Sequence, residues 1–494
     1  PLLVREDTRK FLRESDLRRG GREDCLYLYD LKSHQTREAP SKRLLLDGVE
    51  PALEGEYEIK TLQGPVKARP VFAFLKEQLE KAYTPEQAAG ITGVSPVVIR
   101  RLAREIAAAR GVVNVDTAVW GKFYHGDLME RAIILVVALC GHLGRKGAAY
   151  SAFAMIAPDT SLGAIQRQGA QVMLNIASTE PRYAQWREQG YTDEMILGEY
   201  VRDSYTQKSL VPSSLFYLVH GGILKELIRH NNWDPLLQRS LHEYAEESHR
   251  RGWYHLPDPD RPPRLVFVHG GNLFRRVRSN HRLLENFLPK IELLVTLDIR
   301  MSTTALYSDF VLPIASYYET DSIPWVAVPL APYLNISRKA AEPLYESKSE
   351  WEIYSRLAQR LQEKAQARGI ATYRDRQGRE RRFDQVLEQL TSGGLYDFND
   401  DEAIARDAFL NTDNVEKMDW EVFKNRGIAE FTGPGRHVRS ISNACDIKLG
   451  EPIVPLTWHT DGKEPYPTLT RRIQFYIDHD WYLELGEALP IHKN

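Results

Sequence analysis

Cysteine is scarce in this sequence of 494 residues, which has only Cys25, Cys140 and Cys445. No two of them have the close spacing that brings two thiolates onto one metal ion. This excludes a zinc site or a cysteine-ligated iron–sulfur cluster built from this chain alone. Three widely separated cysteines also exclude a disulfide framework. We therefore expect all three to be small buried hydrophobic residues.

Long apolar runs and an excess of one charge are also missing. The longest strongly apolar run, Ile133–Cys140, is far shorter than the roughly 20 residues of a transmembrane helix. Lysine and arginine total 65 against 67 acidic residues, a formal net charge of −2, whereas a dedicated nucleic-acid binder shows a basic excess. A hydrophobic content of 43% is that of a globular protein, and the length suggests about three domains.

The first clearly patterned part of the chain predicts an α/β unit. A capping box at Thr84–Gln87 opens one helix, and a second helix is predicted from Ser95. Val112–Val115 is typical of a short strand. Asp127 is predicted as the cap of a strongly apolar helix that runs to Leu143.

A second α/β unit follows a proline-rich linker at Pro257–Pro263. Ser349 is predicted to cap a long helix that ends near Ala367. Strands covered on both faces read as continuous hydrophobic segments. Such strands are predicted at Leu265–Val268 and Leu293–Leu297, with a short third strand at Asp309–Pro313.

Glycine and polar residues follow two of these strands, at the sheet edge where open parallel sheets bind ligands. Glycines let a backbone approach a phosphate, and guanidinium groups match its oxygens in pairs. The first strand is followed by Gly270, Gly271, Asn272 and Arg275. The second ends at Asp298, an acceptor for ribose hydroxyls or a guanine edge, and continues with Arg300, Met301 and Ser302. Each feature alone also fits an ordinary turn, but together they predict a nucleotide-bearing ligand.

The loop Trp120–Asp127 is the other candidate site, because it combines groups that titrate or donate with a helix N-terminus. The positive dipole end of that helix favours phosphate. An alternative stays open on spacing alone: Asp127 only caps the helix, and Trp120 and Tyr124 belong to the core.

Four segments give the sequence a family resemblance. The run Thr296–Pro313, followed by Tyr318 and Glu319, closely resembles the molybdopterin oxidoreductases of the dimethyl sulfoxide reductase family. Leu3–Asp16, Tyr124–Gly147 and Thr468–His479 are similar to further parts of the same family. The match is to the catalytic alpha subunits of one branch. That branch contains respiratory nitrate reductase, selenate and chlorate reductases, dimethyl sulfide dehydrogenase and ethylbenzene dehydrogenase.

This resemblance implies an oxidoreductase that holds molybdenum through two molybdopterin guanine dinucleotides. Such enzymes carry out two-electron oxygen-atom transfer or hydroxylation in anaerobic respiration or metabolism, reducing oxyanions or oxidising hydrocarbons or sulfides. A [4Fe–4S] cluster is expected in a segment that precedes this one. The implied partners are an iron–sulfur electron-transfer beta subunit, a haem b gamma subunit as a further candidate, and a small-molecule substrate. The implied location is the periplasm or the membrane surface.

The resemblance also assigns residues. Lys122 and His125 are the candidates for assisting proton movement, although anchoring of the pterin or a phosphate fits them equally. Tyr124, Gly126 and Asp127 are expected to bind the cofactor beside them. One dinucleotide is expected to contact Gly270, Gly271, Asn272, Asp298, Arg300, Ser302 and Asp309, with Arg275 and Met301 next to them. No metal ligand is predicted in this chain.

The implied fold is a fragment of the molybdopterin-oxidoreductase fold, with two doubly wound α/β domains and mostly parallel sheets. We expect a pterin-cofactor domain over residues 1–155, incomplete at its N-terminus, and a dinucleotide-binding domain over 156–440. Residues 441–494 are expected to lead to a further C-terminal domain. The chain is then an internal piece of a catalytic subunit, inactive by itself. The alternative is a non-catalytic scaffold subunit that keeps the fold without molybdenum.

One position departs from the family pattern. Where members usually have Thr-Gly-Arg, this chain has Thr470-Arg471-Arg472. A residue with a side chain therefore stands where the resemblance leads us to expect glycine. We expect the backbone geometry of this loop to differ from that of the family.

Overall fold

The structure is a computed structural model of the chain. It describes residues 1–115, 123–151, 183–190, 239, 243, 247, 250, 263–277, 279–323, 332–374, 380–391, 394–410, 412, 414–432, 444–466 and 468–493. Among these residues, no helix combines the length and the apolar composition that a membrane crossing requires.

The described strands are short and fall in two groups along the chain, before residue 152 and after residue 264. They are β1 (Leu3–Arg5), β2 (Tyr27–Asp30), β3 (Gln35–Glu38), β4 (Tyr57–Thr61), β5 (Gly64–Pro70), β6 (Val113–Val115), β7 (Ala149–Ser151), β8 (Leu265–His269), β9 (Leu293–Asp298), β10 (Phe310–Pro313), β11 (Tyr333–Asn335), β12 (Thr372–Arg374), β13 (Glu380–Arg382) and β14 (Ile428–Glu430).

The described helices range from single turns to one of 18 residues. A π-helical turn at Leu283–Phe287 and a 3₁₀ turn at Leu288–Lys290 precede β9. The α-helices are α1 (Glu14–Leu17), α2 (Val71–Ala82), α3 (Pro85–Thr92), α4 (Pro96–Ala108), α5 (Gly126–Leu139), α6 (Tyr183–Glu188), α7 (Leu273–Arg276), α8 (Asn280–Arg282), α9 (Thr303–Leu306), α10 (Glu350–Ala367), α11 (Val386–Leu390), α12 (Asp401–Leu410), α13 (Trp420–Arg426), α14 (Thr457–Thr460) and α15 (Asp480–Glu484).

An antiparallel sheet of β1, β5 and β4 organises the start of the chain. Side chains alternate across its strands, so Leu3 packs with Ile59 and Ala68 in one core. Leu2 and Val4 enter a second core that also takes residues from helix α2 and from the far end of the chain. We call residues 1–82 together with 475–489 the N-terminal unit.

Buried polar contacts fix the end of the chain to this unit. Asp478 Oδ2 accepts from the Phe11 N–H at 3.0 Å and from the Arg13 guanidinium at 2.6 Å. The Asp478 side chain is only 8% exposed. The described C-terminal segment is therefore an integral part of the first unit.

The parallel sheet has β9 in its centre, between β10 and β8. The four inner residues of β9 are all buried, as the continuous apolar run predicts. The same prediction for β8 is wrong, since Leu265 is 51% and Phe267 38% exposed. In the described part of the sheet β8 is an edge strand, so neighbours cover less of its surface.

The architecture is mixed α/β and contains a parallel sheet, in agreement with the predicted class. Mostly parallel sheets were expected, but of the six described sheets only those of β6–β7 and β8–β9–β10 are parallel. The antiparallel sheets are hairpins and short pairings, which need no crossover helix. The domain boundaries at 155 and 440 stay predictions.

Local sequence signals place three of the four predicted helix starts correctly. Thr84 and Ser349 cap α3 and α10, and each side-chain oxygen accepts from the backbone N–H three residues on. Asp127 was predicted as a cap, but helix α5 begins at Gly126 with His125 in the cap position. Asp127 instead lies in the first turn, where an acid complements the helix dipole. The helix ends at Leu139, before the predicted Leu143.

The three cysteines are free thiols. Cys25 and Cys445 are buried, as expected, whereas Cys140 is half-buried. Burial raises the pKa of the Cys445 thiol to about 12, which keeps it protonated and unreactive.

Arg471, which stands where the resemblance leads us to expect glycine, has a left-handed backbone with φ of +58°. A side chain in this conformation costs about 1–2 kcal/mol. We expect Arg471→Gly to raise the free energy of unfolding by about 0.5–1 kcal/mol, because part of the relief is lost to the greater freedom of glycine in the unfolded chain. Chemical denaturation of the two proteins measures this difference, and a destabilised variant would contradict it.

Candidate functional site

The carboxyl edge of the parallel sheet gathers most of the predicted site residues. In the parallel register His269 lies opposite Leu297, so the segments that follow β8 and β9 leave the sheet at the same edge. The Gly270 N–H donates to the Leu297 carbonyl at 3.2 Å and ties the two exits together. Residues 270–272 and 298–302 are thereby brought side by side, as predicted.

The backbone conformation favours glycine at one of the two glycine positions after β8 but not at the other. Gly270 has φ of +59°, a conformation in which glycine is strongly favoured. Gly271 has no positive φ, and a Cβ added there would meet only the His269 carbonyl oxygen, at 3.7 Å. Packing within the described chain does not require glycine at 271. The space beside its Cα is open to a ligand.

Asn272 acts inside the fold. Its Oδ1 accepts from the Thr304 N–H at 3.3 Å and from the Thr304 hydroxyl at 3.1 Å. The Thr304 hydroxyl oxygen in turn accepts from the Phe274 N–H at 3.2 Å. This network joins the turn after β8 to helix α9 and holds the edge of the sheet in one shape.

Charges at this edge lack partners in the described part of the chain. The Asp298 side chain is half-buried, and it has neither a hydrogen bond nor an ion pair with a described residue. The exposed guanidinium groups of Arg275 and Arg300 form no ion pair with described residues either. At the opposite edge Arg264 and Glu292 pair through two 2.5 Å contacts. Asp298, Arg275 and Arg300 thus offer uncompensated charge to a polar, charged ligand at the carboxyl edge, where His269 is paired with Glu350 at 2.6 Å.

Ser302 and Asp309 also have structural roles, and Asp309 lies at the other edge of the sheet. Ser302 Oγ accepts from the Ala305 N–H at 3.3 Å and caps helix α9, next to Met301, which is 61% exposed. Asp309 lies just before β10, where its Oδ2 accepts from the Leu294 N–H at 2.8 Å. That position is the amino edge of the sheet, away from the other predicted contacts.

The second candidate region is the entry to helix α5. Lys122 lies outside the described residues. Tyr124 is 78% exposed, so the alternative that makes it a core residue is wrong. Gly126 is buried in the first turn, and Asp127 is exposed beside it.

His125 has an acidic neighbour that the sequence does not reveal. Its Nδ1 lies 3.7 Å from Oε1 of Glu487, and the two side chains are 21% and 9% exposed. The Lys493 ammonium contacts the same oxygen at 2.6 Å. No motif or spacing links these residues, because the contact depends on how the end of the chain packs on the N-terminal unit.

Comparison with known proteins relates this chain to a family. A protein-family sequence model described as molybdopterin oxidoreductase matches residues 117–360 of this chain. The respiratory nitrate reductase subunit alpha of Haloferax mediterranei is 30% identical, with 100% of this chain and 48% of that protein covered. The perchlorate reductase subunit alpha of Dechloromonas aromatica is 27% identical, with 99% of this chain and 50% of that protein covered.

A third relative has a different named activity. The dimethylsulfide dehydrogenase subunit alpha of Rhodovulum sulfidophilum is 29% identical, with 100% of this chain and 50% of that protein covered. Among solved structures, acetylene hydratase from Pelobacter acetylenicus is similar at a TM-score of 0.26, with 16% identity over 47% of this chain and 24% of that chain. A score of this size does not establish a shared fold.

The chain spans about half the length of these curated relatives. Their similarity nevertheless extends over all or nearly all of its own residues. The chain is related to the molybdopterin oxidoreductases, among them the alpha subunits of nitrate, perchlorate and chlorate reductases and of dimethylsulfide dehydrogenase.

Proposed function

We propose that this chain is the central part of the catalytic alpha subunit of a molybdenum enzyme that uses two molybdopterin guanine dinucleotides. The reaction is a two-electron oxygen-atom transfer or hydroxylation. Relatives named as reductases of nitrate and perchlorate and as a dimethylsulfide dehydrogenase support this reaction class. Because these names include both reductases and a dehydrogenase, the proposed substrate is either an oxyanion to be reduced or a small molecule to be oxidised.

The observation that carries the proposal is the uncompensated charge at the carboxyl edge of the parallel sheet. Arg275 and Arg300 can donate to the phosphate oxygens of a dinucleotide, since a guanidinium matches them in pairs. Asp298 can accept from ribose hydroxyls or from a guanine edge. The open space at Gly271 lets the ligand approach the backbone, and the network around Asn272 keeps these groups in place.

The entry to helix α5 would serve the reacting end of the cofactor. When bound, the cofactor supplies the two-electron redox chemistry. Lys122 and His125 of this chain hold or move the proton that accompanies oxygen transfer. Tyr124 and Asp127, both exposed, and the buried Gly126 shape the contact with the pterin.

The proposed assembly follows from the same relatives, which are named as alpha subunits. We propose an iron–sulfur beta subunit that exchanges electrons with this one, with a haem b gamma subunit as a further partner, in the periplasm or at the membrane surface. The [4Fe–4S] cluster would be held outside this chain, because its three widely separated cysteines cannot ligate such a cluster by themselves.

Gly271→Ala tests whether the open space at the sheet edge is the cofactor's. The added methyl group has no close neighbour in the fold, so we expect stability to be unchanged or raised by about 0.5 kcal/mol. We expect the molybdopterin content of the purified full-length protein to fall, because the methyl occupies the ligand's space. Metal analysis and fluorescence of the oxidised pterin measure the content.

Gly90→Ala is the matched control, since Gly90 lies in helix α3 and an added Cβ there also meets nothing within 4 Å. It should leave cofactor content unchanged. Equal content in the two variants and the parent protein would contradict the assignment. Turnover with nitrate, perchlorate, chlorate and dimethyl sulfide then identifies the substrate class. A protein that never carries molybdenum would instead be a scaffold subunit.

A further inference from the structure

We propose that Thr304 is a positioning residue for the cofactor site, because it fixes which end of the Asn272 amide faces a bound ligand. Asn272 then presents hydrogen-bond donors, and the group that fits them is a phosphate oxygen of the dinucleotide. The inference deepens the proposed function and rests on it. It gives a role to Thr304, to which the resemblance assigns none.

Two donors of Thr304 meet the same atom of the Asn272 side chain. The Thr304 N–H and hydroxyl lie 3.3 and 3.1 Å from Oδ1 of Asn272. The hydroxyl oxygen accepts from the Phe274 N–H at 3.2 Å, so its own hydrogen is available to Asn272. An atom that receives two hydrogens is an acceptor. It is therefore the oxygen of the amide, and the nitrogen lies at the other end.

Asn272 does not use its side chain to start its own helix. It stands in the cap position of helix α7, where an asparagine oxygen usually accepts from a backbone N–H of that helix. Here the side chain forms no such bond. The Asn272 carbonyl alone accepts from the Arg275 and Arg276 N–H groups, at 3.1 and 3.0 Å. The amide oxygen is committed to helix α9 instead.

Thr304 is itself held in the core. Thr304 and Thr296 of strand β9 are fully buried. The Ser308 hydroxyl donates to the Thr304 carbonyl at 2.9 Å, and its oxygen lies 2.7 Å from the Thr296 hydroxyl oxygen. These bonds join the central strand, helix α9 and the turn after β8. The Asn272 amide cannot turn over without leaving buried donors unpaired, which is costly.

The other end of the amide is available to a ligand. Asn272 Nδ2 forms no hydrogen bond with a described residue, and it is not among the buried unpartnered atoms. This nitrogen only donates, so its partner must be an acceptor. An ionised phosphate oxygen only accepts. The exposed Arg275, which has no ion pair with a described residue, supplies the positive charge beside it.

The cofactor content of the purified full-length protein tests this proposal, with the unfolding midpoint measured in parallel. Asn272→Asp keeps an oxygen toward Thr304 but replaces the donor by an acidic acceptor. We expect its unfolding midpoint to stay close to that of the parent, while molybdenum and guanine nucleotide content falls at least about tenfold, because a charge-assisted hydrogen bond to the ligand is lost. Asn335→Asp, an exposed position on β11, is the matched control and should keep full content.

Two variants of Thr304 separate the lost orientation from the added charge. Thr304→Val removes the hydroxyl at nearly constant size, and we expect it to lower cofactor content. Thr304→Ser keeps the hydroxyl and should keep the content near that of the parent. Full content in Asn272→Asp, or equal content in the two Thr304 variants, overturns the positioning role.

The outcomes also distinguish this inference from the proposed function. If the parent protein carries molybdenum and guanine nucleotide and Asn272→Asp keeps both, only the role of Thr304 and Asn272 fails. A parent protein that carries neither contradicts the proposed function itself. Asn272→Asp decides the matter if Thr304→Val does not fold.

Discussion

Asp298→Asn is expected to lower the molybdopterin content of the purified full-length protein at least about tenfold, because a charge-assisted hydrogen bond contributes about 1.5–3 kcal/mol. The carboxylate has no partner among the described residues, so its removal costs the fold little. Only a bound ligand loses an acceptor. Molybdenum and pterin content per chain, with the unfolding midpoint measured in parallel, separates the two effects.

The control for Asp298 is Glu292→Gln, at the amino edge of the same sheet. Glu292 is exposed and pairs with Arg264, so it tests whether any lost acid on this sheet reduces cofactor content. We expect no reduction. Asp298→Asn with full cofactor content would remove this residue from the binding site, and equal losses in both variants would point to general damage of the sheet.

Asp478→Ala is expected to lower the stability of the N-terminal unit by about 1–3 kcal/mol, the usual cost of leaving a buried donor without its acceptor. The charge of Arg13 stays partly compensated, because its guanidinium keeps the Phe11 carbonyl at 3.0 Å and Glu23 at 3.6 Å. The substitution strips the Arg13 guanidinium of a 2.6 Å partner and the Phe11 N–H of its acceptor. Hydrogen exchange of peptides from β1 and β5, read by mass spectrometry, measures the local free energy of opening.

The neighbouring Asp480 offers a matched control for this stability prediction. It pairs with Lys10 at 2.7 Å, but the two side chains are 31% and 43% exposed. A surface pair of this kind contributes about 0–1 kcal/mol, so Asp480→Asn should change exchange only slightly. If Asp478→Ala has an effect no larger than this control, the end of the chain is not fixed as the buried contacts indicate.

The meeting of the two segments at the carboxyl edge could be predicted because its information is local. An apolar run ending in glycines or an acid marks both the strand and its exit, and parallel strands place their exits together. The Asp298 and Gly270–Asn272 segments meet for that reason. Asp309 does not join them, because the chain returns through helix α9 to the amino edge before β10 begins. Resemblance alone grouped it with the others.

The contacts of the C-terminal segment could not be predicted in the same way. Hundreds of residues separate Asp478 from Arg13 in the chain, and the same is true of Glu487 and His125. No periodicity in the sequence indicates that either pair is in contact. Their pairing depends on how Tyr476 and Leu489 pack into the core with Leu2 and Val4. The exposure of β8 could not be predicted for a related reason. An apolar run does not indicate whether its strand lies in the centre of a sheet or at its edge.

The most direct measurement is the stoichiometry of molybdenum and guanine nucleotide released from the purified full-length protein. The proposed binding of two guanine dinucleotides around one metal predicts a guanine-to-molybdenum ratio of two to one, lowered in both components by Asp298→Asn. Protein that carries neither component after expression in a host that makes the cofactor would contradict the proposed enzyme and leave a scaffold in its place.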